Sequence, residues 1–282
     1  MAKPNFIIIG AARSGTTSLF KYLECHPEIY MSDIKEINYF SNEKYWNKGL
    51  PWYESHFNHQ GEKLIGEAST SYTSAPILGS VPERMYKTLS AVKLIYIVRD
   101  PIDRLVSHYM HRAHRGVETR TLSDIIENHD DDPLFWQGRY YYQIQRFLEY
   151  YEKTDLHVLN VSDLGENTVS AVDEIYKFLG VSAPNSLASP KSHHNVNASV
   201  TRKNSFGKKV LEFYHSHVEQ VPYPYRFKKL FLSLAEFGAE KIEKADLDEN
   251  QIRKLTAFYA DDVKKLEDFS GLNIKSWRNY KV

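Results

Sequence analysis

The sequence predicts an α/β fold: a P-loop-like central parallel β-sheet with helices on both faces. Three observations carry that expectation. Four short apolar runs, Phe6–Ile9, Leu64–Ile65, Lys93–Val98 and Leu156–Val161, are separated by stretches of helical period, the βαβ signature of a parallel sheet. The first run leads through small residues straight into a helix, the setting of a phosphate-binding turn. No Gly/Ser-rich or Pro-rich linker and no repeat interrupts the 282 residues, so residues 1–282 read as one domain.

The helices have local reasons. Asp100 caps a helix that opens at Pro101, where a missing N–H is harmless. Arg139–Lys153 places Tyr140, Ile144, Phe147 and Tyr151 on one face. Asp248 caps a long helix with the stripe Ile252, Leu255, Tyr259, Val263 and Leu266, and Gly271 ends it. From about Pro184 to Asn204 few apolar residues recur, which predicts a long loop.

Bulk charge is balanced, with 36 basic and 36 acidic side chains, so a nucleic-acid partner has no support from charge. One cysteine, Cys25, excludes an intrachain disulfide and fits a reducing compartment. No apolar run approaches the roughly 20 residues of a membrane-spanning helix. The expectation is a soluble, cytoplasmic protein, either a bacterial enzyme or a domain cut from a longer chain.

Residues 10–19 read Gly-Ala-Ala-Arg-Ser-Gly-Thr-Thr-Ser-Leu. Glycines let a backbone turn sharply and approach an anion. The free N–H groups and the dipole of the helix start favour negative charge there. The spacing from Gly10 to Gly15 matches a nucleotide P-loop, but Thr16 stands where such loops carry the lysine that reaches the β- and γ-phosphates. Arg13, inside the turn, is the replacement cation, able to fork two hydrogen bonds onto a phosphate or sulfate. A glycine turn that binds nothing is the plain alternative.

This stretch resembles the 5′-phosphosulfate loop of sulfotransferases that use 3′-phosphoadenosine 5′-phosphosulfate (PAPS), which reads Lys/Arg-x-Gly-Thr-Thr/Ser. The resemblance implies that Arg13, Ser14, Gly15, Thr16, Thr17 and Ser18 hold the 5′-phosphosulfate. A second string, from Lys93 through Arg99, Asp100 and Pro101 to Ser107, is similar to that family's 3′-phosphate motif. It implies that Arg99 and Ser107 bind the 3′-phosphate. A salt bridge from Arg99 to Asp103 is the alternative reading.

Lys35-Glu36-Ile37-Asn38-Tyr39-Phe40 resembles the Lys-Glu-x-x-Phe-Phe segment of carbohydrate-type members. By that likeness Glu36 is the catalytic base, with Lys35 adding positive charge, and Tyr39 and Phe40 are expected to desolvate the carboxylate. Gly66 to Tyr72 resembles the family's Gly-Glu-Lys-Ser/Thr-Pro-x-Tyr element, with Ala68 in place of Lys and Thr70 in place of Pro. Those departures resemble bacterial members and weaken the case for a glycosaminoglycan acceptor. Glu67 orients Arg13 or the acceptor, or is structural. Arg202 and Lys203 lie where the family places a basic loop over the nucleotide. His193 and His194, without metal-ligand spacing around them, are the runner-up base. The end of the chain, Leu272 to Trp277, also resembles family ends.

The resemblance implies metal-independent transfer of a sulfuryl group from PAPS to a small-molecule, lipid or carbohydrate hydroxyl, releasing PAP. Rival readings are a P-loop nucleotide or small-molecule kinase, a non-catalytic PAP-binding module and a scaffold with a relic site. Trp136 and Tyr140 to Tyr142 are either an acceptor pocket or core. Sequence leaves the oligomeric state and the acceptor open.

Overall fold

The computed structural model of the chain describes residues 2–127, 132–184, 201–202, 205–214, 230–231, 233–235, 237–238, 240–241 and 246–277. The strands are β1 (Phe6–Gly10), β2 (Ile29–Met31), β3 (Leu64–Ala68), β4 (Lys93–Val98), β5 (Leu156–Asn160), β6 (Thr201–Arg202) and β7 (Glu240–Lys241). The helices used below are α1 (Thr16–Glu24), α2 (Glu43–Trp46), α3 (Leu50–Glu54), α4 (Val81–Thr88), α5 (Pro101–His114), α6 (Leu122–Glu127), α7 (Pro133–Trp136), α8 (Tyr140–Leu148), α9 (Val161–Glu166), α10 (Thr168–Leu179), α11 (Ser205–Phe213) and α12 (Glu249–Ser270).

The chain forms two compact units: residues 1–105, 130–192 and 252–282 make the first, and 106–129 and 193–251 the second. The first holds the parallel five-stranded sheet, in the order β2-β3-β1-β4-β5. Its central strand β1 is wholly buried. Phe6 and Ile8 face a core made with Leu19, Leu23, Val172 and Ile175 of α1 and α10. On the opposite face the Tyr96 ring meets Tyr140 of α8 edge-on, centroids 5.8 Å apart. Helices therefore flank both faces, as expected.

Sequence reading missed β2. Three residues, only alternately buried, are too short to give a period. At the end of β5 the chain turns one residue early: Asn160 caps α9, its Oδ1 accepting the Ser162 N–H at 3.3 Å. The helix expected over 139–153 stops at Leu148. Tyr151 is nevertheless buried, its hydroxyl donating to the Leu89 carbonyl at 3.1 Å. Asp100 caps α5 as expected, with Oδ1 accepting the N–H of Ile102 (2.9 Å) and Asp103 (3.1 Å).

In the second unit β6 pairs antiparallel with β7. Thus Thr201 and Arg202, expected in a loop, form a short strand, while 185–200 and 203–204 lie outside the described residues. Asp248 and Gln251 form a reciprocal cap at the start of α12: Asp248 Oδ1 accepts the Gln251 N–H at 2.8 Å, and Gln251 Oε1 accepts the Asp248 N–H at 3.0 Å. Arg120 grips Glu118 with two hydrogen bonds of 2.9 and 2.8 Å and holds that carboxyl down at about 2. No helix among the described residues is long and apolar enough to cross a membrane.

Candidate active site

In the first unit the strand order places the site. From β1 the chain leaves toward β2, and from β4 it leaves toward β5, on opposite sides. The crevice between the carboxyl ends of β1 and β4 is therefore a topological switch point, where open α/β sheets bind ligands. Gly10 lies opposite Tyr96 there. A Cβ on Gly10 would come within 2.2 Å of Thr73 Oγ1 and 2.9 Å of the Tyr96 ring, so only glycine lets the turn pass. Gly15, at φ 87°, caps α1, and a Cβ on it would lie 2.7 Å from Val161 Cγ2.

Arg13 projects from this turn with φ 70°. Ser14 and Thr16 are buried, whereas Arg13, Thr17 and Ser18 are exposed. The N–H groups of Thr16 and Thr17, at the very start of α1, have no helical acceptor, whereas Ser18 already bonds to the Gly15 carbonyl at 3.0 Å. Arg13 is exposed as a residue, yet partial desolvation of its guanidinium, and after it the positive charge of Arg99, lowers its pKa. Two guanidiniums that repel each other across a switch point, beside a helix start, favour an anion between them. Arg99 follows β4. Its N–H donates to the Tyr140 hydroxyl at 3.4 Å, and its Nη2 lies 3.7 Å from Asp103 Oδ2. The salt-bridge alternative is thus present, but with 36% of the Arg99 side chain exposed it is a loose pair that an anion can outbid. Ser107 is partly buried on α5. Arg202 lies on β6, with only its backbone described, and Lys203, His193 and His194 lie outside the described residues.

Glu36 sits at the same edge, beyond β3. Its N–H donates to the Ala68 carbonyl at 2.8 Å. Its carboxylate accepts the Thr70 N–H at 2.8 Å and the Thr70 hydroxyl at 3.1–3.2 Å, and Lys35 Nζ hydrogen-bonds to Oε1. A carboxylate has about four acceptor positions, so an incoming hydroxyl can still be bound. The side chain is 34% exposed.

Here the structure corrects the sequence reading. Tyr39 and Phe40 are buried, but they pack on Tyr53 and Tyr72: Tyr39 stacks on Tyr53 at 4.6 Å, and Phe40 meets Tyr72 edge-on at 5.5 Å. Tyr53 and Tyr72 in turn bind a different carboxylate, Glu67. Glu67 is wholly buried and accepts hydrogen bonds from Tyr53 (2.5 Å), Tyr72 (2.7 Å) and Ser69 (2.7 Å). Burial raises its pKa, the three hydroxyls oppose the rise, and Glu36 adds to it. Its hydrogen-bond donors are hydroxyls, so it does not hold Arg13.

Sequence reasoning also missed Tyr140 as a brace for the Arg99 backbone, and the roles of Ser69 and Thr70. A run of three hydroxyl residues at a strand's carboxyl end was the available signal. Tyr140 gave none, since a buried tyrosine in an apolar stripe looks like core. Trp136 and Tyr142 pack on each other at 5.1 Å and the Arg139 guanidinium lies against both, at 4.8 and 5.5 Å, and Tyr140 is fully buried. These aromatics pack the protein.

Comparison with known proteins gives the family. A sulfotransferase-domain family model matches residues 3–270. The chain is 28% identical over 198 residues to the human bifunctional heparan sulfate N-deacetylase/N-sulfotransferase 2, covering 63% of this chain and 22% of that protein. It is 29% identical over 191 residues to the human heparan sulfate glucosamine 3-O-sulfotransferase 5, covering 63% of this chain and 54% of that one. A Dictyostelium discoideum membrane-associated sulfotransferase, kil1, is 43% identical over 110 residues, 38% of this chain and 22% of its own length. The chain thus spans between about a fifth and a half of these relatives. A sulfotransferase structure from Alicyclobacillus acidocaldarius has the same fold, with a TM-score of 0.68 and 24% identity over 99% of this chain and 100% of the other.

Proposed function

Because the chain belongs to the sulfotransferase family, we propose that it transfers a sulfuryl group from PAPS to an acceptor hydroxyl and releases PAP. One observation carries this reading: Arg13 and Arg99 face each other electrostatically at the switch point, with a hydrogen-bonded carboxylate, Glu36, at the same sheet edge. PAPS supplies the sulfuryl group. Arg13 and the N–H groups at the start of α1, with Ser14, Gly15, Thr16, Thr17 and Ser18, hold the 5′ end and neutralise charge on the leaving phosphate oxygen. Arg99 reads the 3′-phosphate, and Ser107, Arg202 and Lys203 join it by family likeness alone. Glu36 takes the hydroxyl proton as the acceptor oxygen bonds to sulfur and the bridging S–O bond breaks. The leaving phosphate is a weak base, so Arg13, which keeps its proton, serves without a general acid. Lys35 holds Glu36 and adds positive charge. We read the two units as one functional domain because the family match crosses both.

A kinase reading would need the lysine that Thr16 replaces, together with Mg²⁺. Metal dependence therefore separates the two. The acceptor is sought among neutral and polyanionic hydroxyl compounds. Ala68 is wholly buried and puts no cation where the glycosaminoglycan-type motif has lysine, whereas the heparan sulfate relatives favour a carbohydrate.

The test is transfer from radiolabelled PAPS to desulfated heparan sulfate, a neutral oligosaccharide, a simple phenol and a long-chain alcohol, with and without EDTA. Labelled product and PAP are expected at equal rates in both conditions. PAP at 100 times its dissociation constant should also stabilise the fold by about 2.7 kcal/mol, again insensitive to EDTA. Loss of transfer or of stabilisation on adding EDTA, or the absence of both, overturns the proposal.

A further inference from the structure

We infer that Ser69, its hydroxyl aimed by the buried Glu67 carboxylate, is a positioning residue for Glu36; the inference rests on the reading of Glu36 as general base. The segment that presents Glu36 is unusual. Glu36 (φ 65°) and Asn38 (φ 55°) both lie in the left-handed region, which residues other than glycine seldom enter. Such conformations persist only where the surroundings over-determine them, so the restraints on this segment identify what holds the carboxylate in place.

Those restraints come from residues 68–71. The Ala68 carbonyl accepts from Glu36 N–H at 2.8 Å, and Thr70 binds the carboxylate. Asn38 is held twice. Its N–H donates to Ser69 Oγ at 2.9 Å, and its side-chain carbonyl accepts from Ser71 Oγ at 2.5 Å. Asn38 Nδ2 then donates back to the Glu36 carbonyl at 2.8 Å, closing a ring around the left-handed pair.

The Ser69 hydroxyl has its direction set from outside the ring, by Glu67. A serine has a single proton to give. Ser69 gives it to Glu67 Oε1 at 2.7 Å, which leaves lone pairs for the Asn38 N–H. Glu67 imposes that direction by geometry: its two oxygens receive the hydroxyls of Tyr53 and Tyr72 as well as that of Ser69, so the group serves all three as acceptor. A buried carboxylate adds little stability over a well-packed apolar group. What this one does is fix the polarity of a hydroxyl that anchors the base-bearing segment.

Ser69→Ala removes the anchor. Small displacements of a reacting group cost up to about a hundredfold, so kcat should fall ~10–100-fold. PAP affinity and acceptor KM should stay within about twofold. Ser69→Thr, which keeps the hydroxyl, should restore most of the rate. The deciding measurement is a double-mutant cycle with Glu36→Gln, scored by release of free sulfate from radiolabelled PAPS and by transfer to the fastest acceptor of the panel above. If Ser69 acts through Glu36, Ser69→Ala costs less than about twofold in the Glu36→Gln background.

Equal costs in both backgrounds, or PAP affinity falling in step with kcat, would make Ser69 structural and overturn the inference while leaving Glu36 as base. A Glu36→Gln enzyme with near-normal turnover removes the base reading, and the inference with it. Should Ser69→Ala not fold, Ser69→Cys is the second variant. It keeps the size of the side chain, but a thiol is a weak donor to Glu67 and a weak acceptor for the Asn38 N–H. It should slow turnover about tenfold in wild type and not at all beside Glu36→Gln; equal slowing in both again overturns the inference.

Discussion

The turn after β1 and the segment that carries Glu36 lie at the same edge of one sheet, yet they are made of different material. The turn is contiguous chain. Two glycines, Gly10 and Gly15, pass where a Cβ would collide, and one arginine and the start of α1 supply the positive charge. The Glu36 segment is assembled from side chains far apart in sequence, with Ser69, Thr70 and Ser71 reaching back to residues 36 and 38. On the proposed reading the first device binds through its backbone. The second positions a proton acceptor by hydrogen bonds that can be removed one at a time. Damage to the first should appear as lost donor affinity, and damage to the second as lost turnover with affinity kept.

The largest effect should come from the acceptor end. Glu36→Gln keeps shape and removes the proposed base, so turnover should drop by roughly 10²–10⁴ while PAP binds almost as before. Calorimetry with PAP beside single-turnover rates with PAPS separates the two quantities. Parallel losses would erase the contrast between the ends. Near-normal turnover would move the base elsewhere, with His193 and His194 next to test.

At the donor end Arg99→Ala should act oppositely. Each charge-assisted hydrogen bond to the 3′-phosphate is worth roughly 1.5–3 kcal/mol, so affinity for PAPS should fall up to about a hundredfold. Adenosine phosphosulfate, which lacks that phosphate, should lose little. Titrating both nucleotides into both proteins reads the difference. An equal loss for the two would make Arg99 the partner of Asp103 and nothing more.

The same contrast explains what was legible. The strand cores, the Asp100 cap and the turn at 10–19 depend on neighbours within a few residues, so periodicity and spacing expose them. β2 was invisible because three residues carry no period. Helix α8 was read too long because its apolar stripe continues through Tyr151 after the hydrogen-bonding ladder has ended at Leu148. The aromatic pair Tyr39 and Phe40 is expected from proximity to line Glu36, whereas packing carries the two rings onto Tyr53 and Tyr72. Pairings such as Thr70 with Glu36 are consequences of tertiary fold, and no local pattern in either segment announces them.

A pH-dependent brace behind the donor end sharpens the comparison further. Asp262 of α12 accepts the N–H groups of Tyr141 and Tyr142 at 3.0 and 2.9 Å, capping the helix that carries Tyr140. Burial lifts its pKa to about 6 against those hydrogen bonds. A carboxyl raised from its ordinary value near 3.8 binds its proton more tightly folded than unfolded. Its contribution to stability is therefore full below pH ~4 and lost as pH rises through about 6. At 1.36 kcal/mol per pH unit this amounts to roughly 2–3 kcal/mol. Asp262→Asn does not titrate. Between pH 4 and pH 7 its stability relative to wild type, from urea melts, should improve by about that amount. A difference that stays constant across the range would show that the carboxyl titrates at its ordinary value.

The smallest expected effect tests whether that brace reaches the donor end at all. Tyr140 is fully buried, and its hydroxyl accepts the Arg99 N–H at 3.4 Å, a long and therefore weak bond. Tyr140→Phe keeps the ring and its edge contact with Tyr96 and removes only the oxygen. An ordinary hydrogen bond contributes about 0.5–1.5 kcal/mol net, so PAP should bind roughly 2–10-fold more weakly. The loss should be shared by adenosine phosphosulfate, since the hydroxyl also borders Ser14 of the turn at 10–19. Turnover at saturating PAPS should hold, because Glu36 is anchored through residues 68–71 and not through α8. Reduced turnover with unchanged PAP affinity would join the two ends of the site through Tyr140 and end the distinction drawn between them.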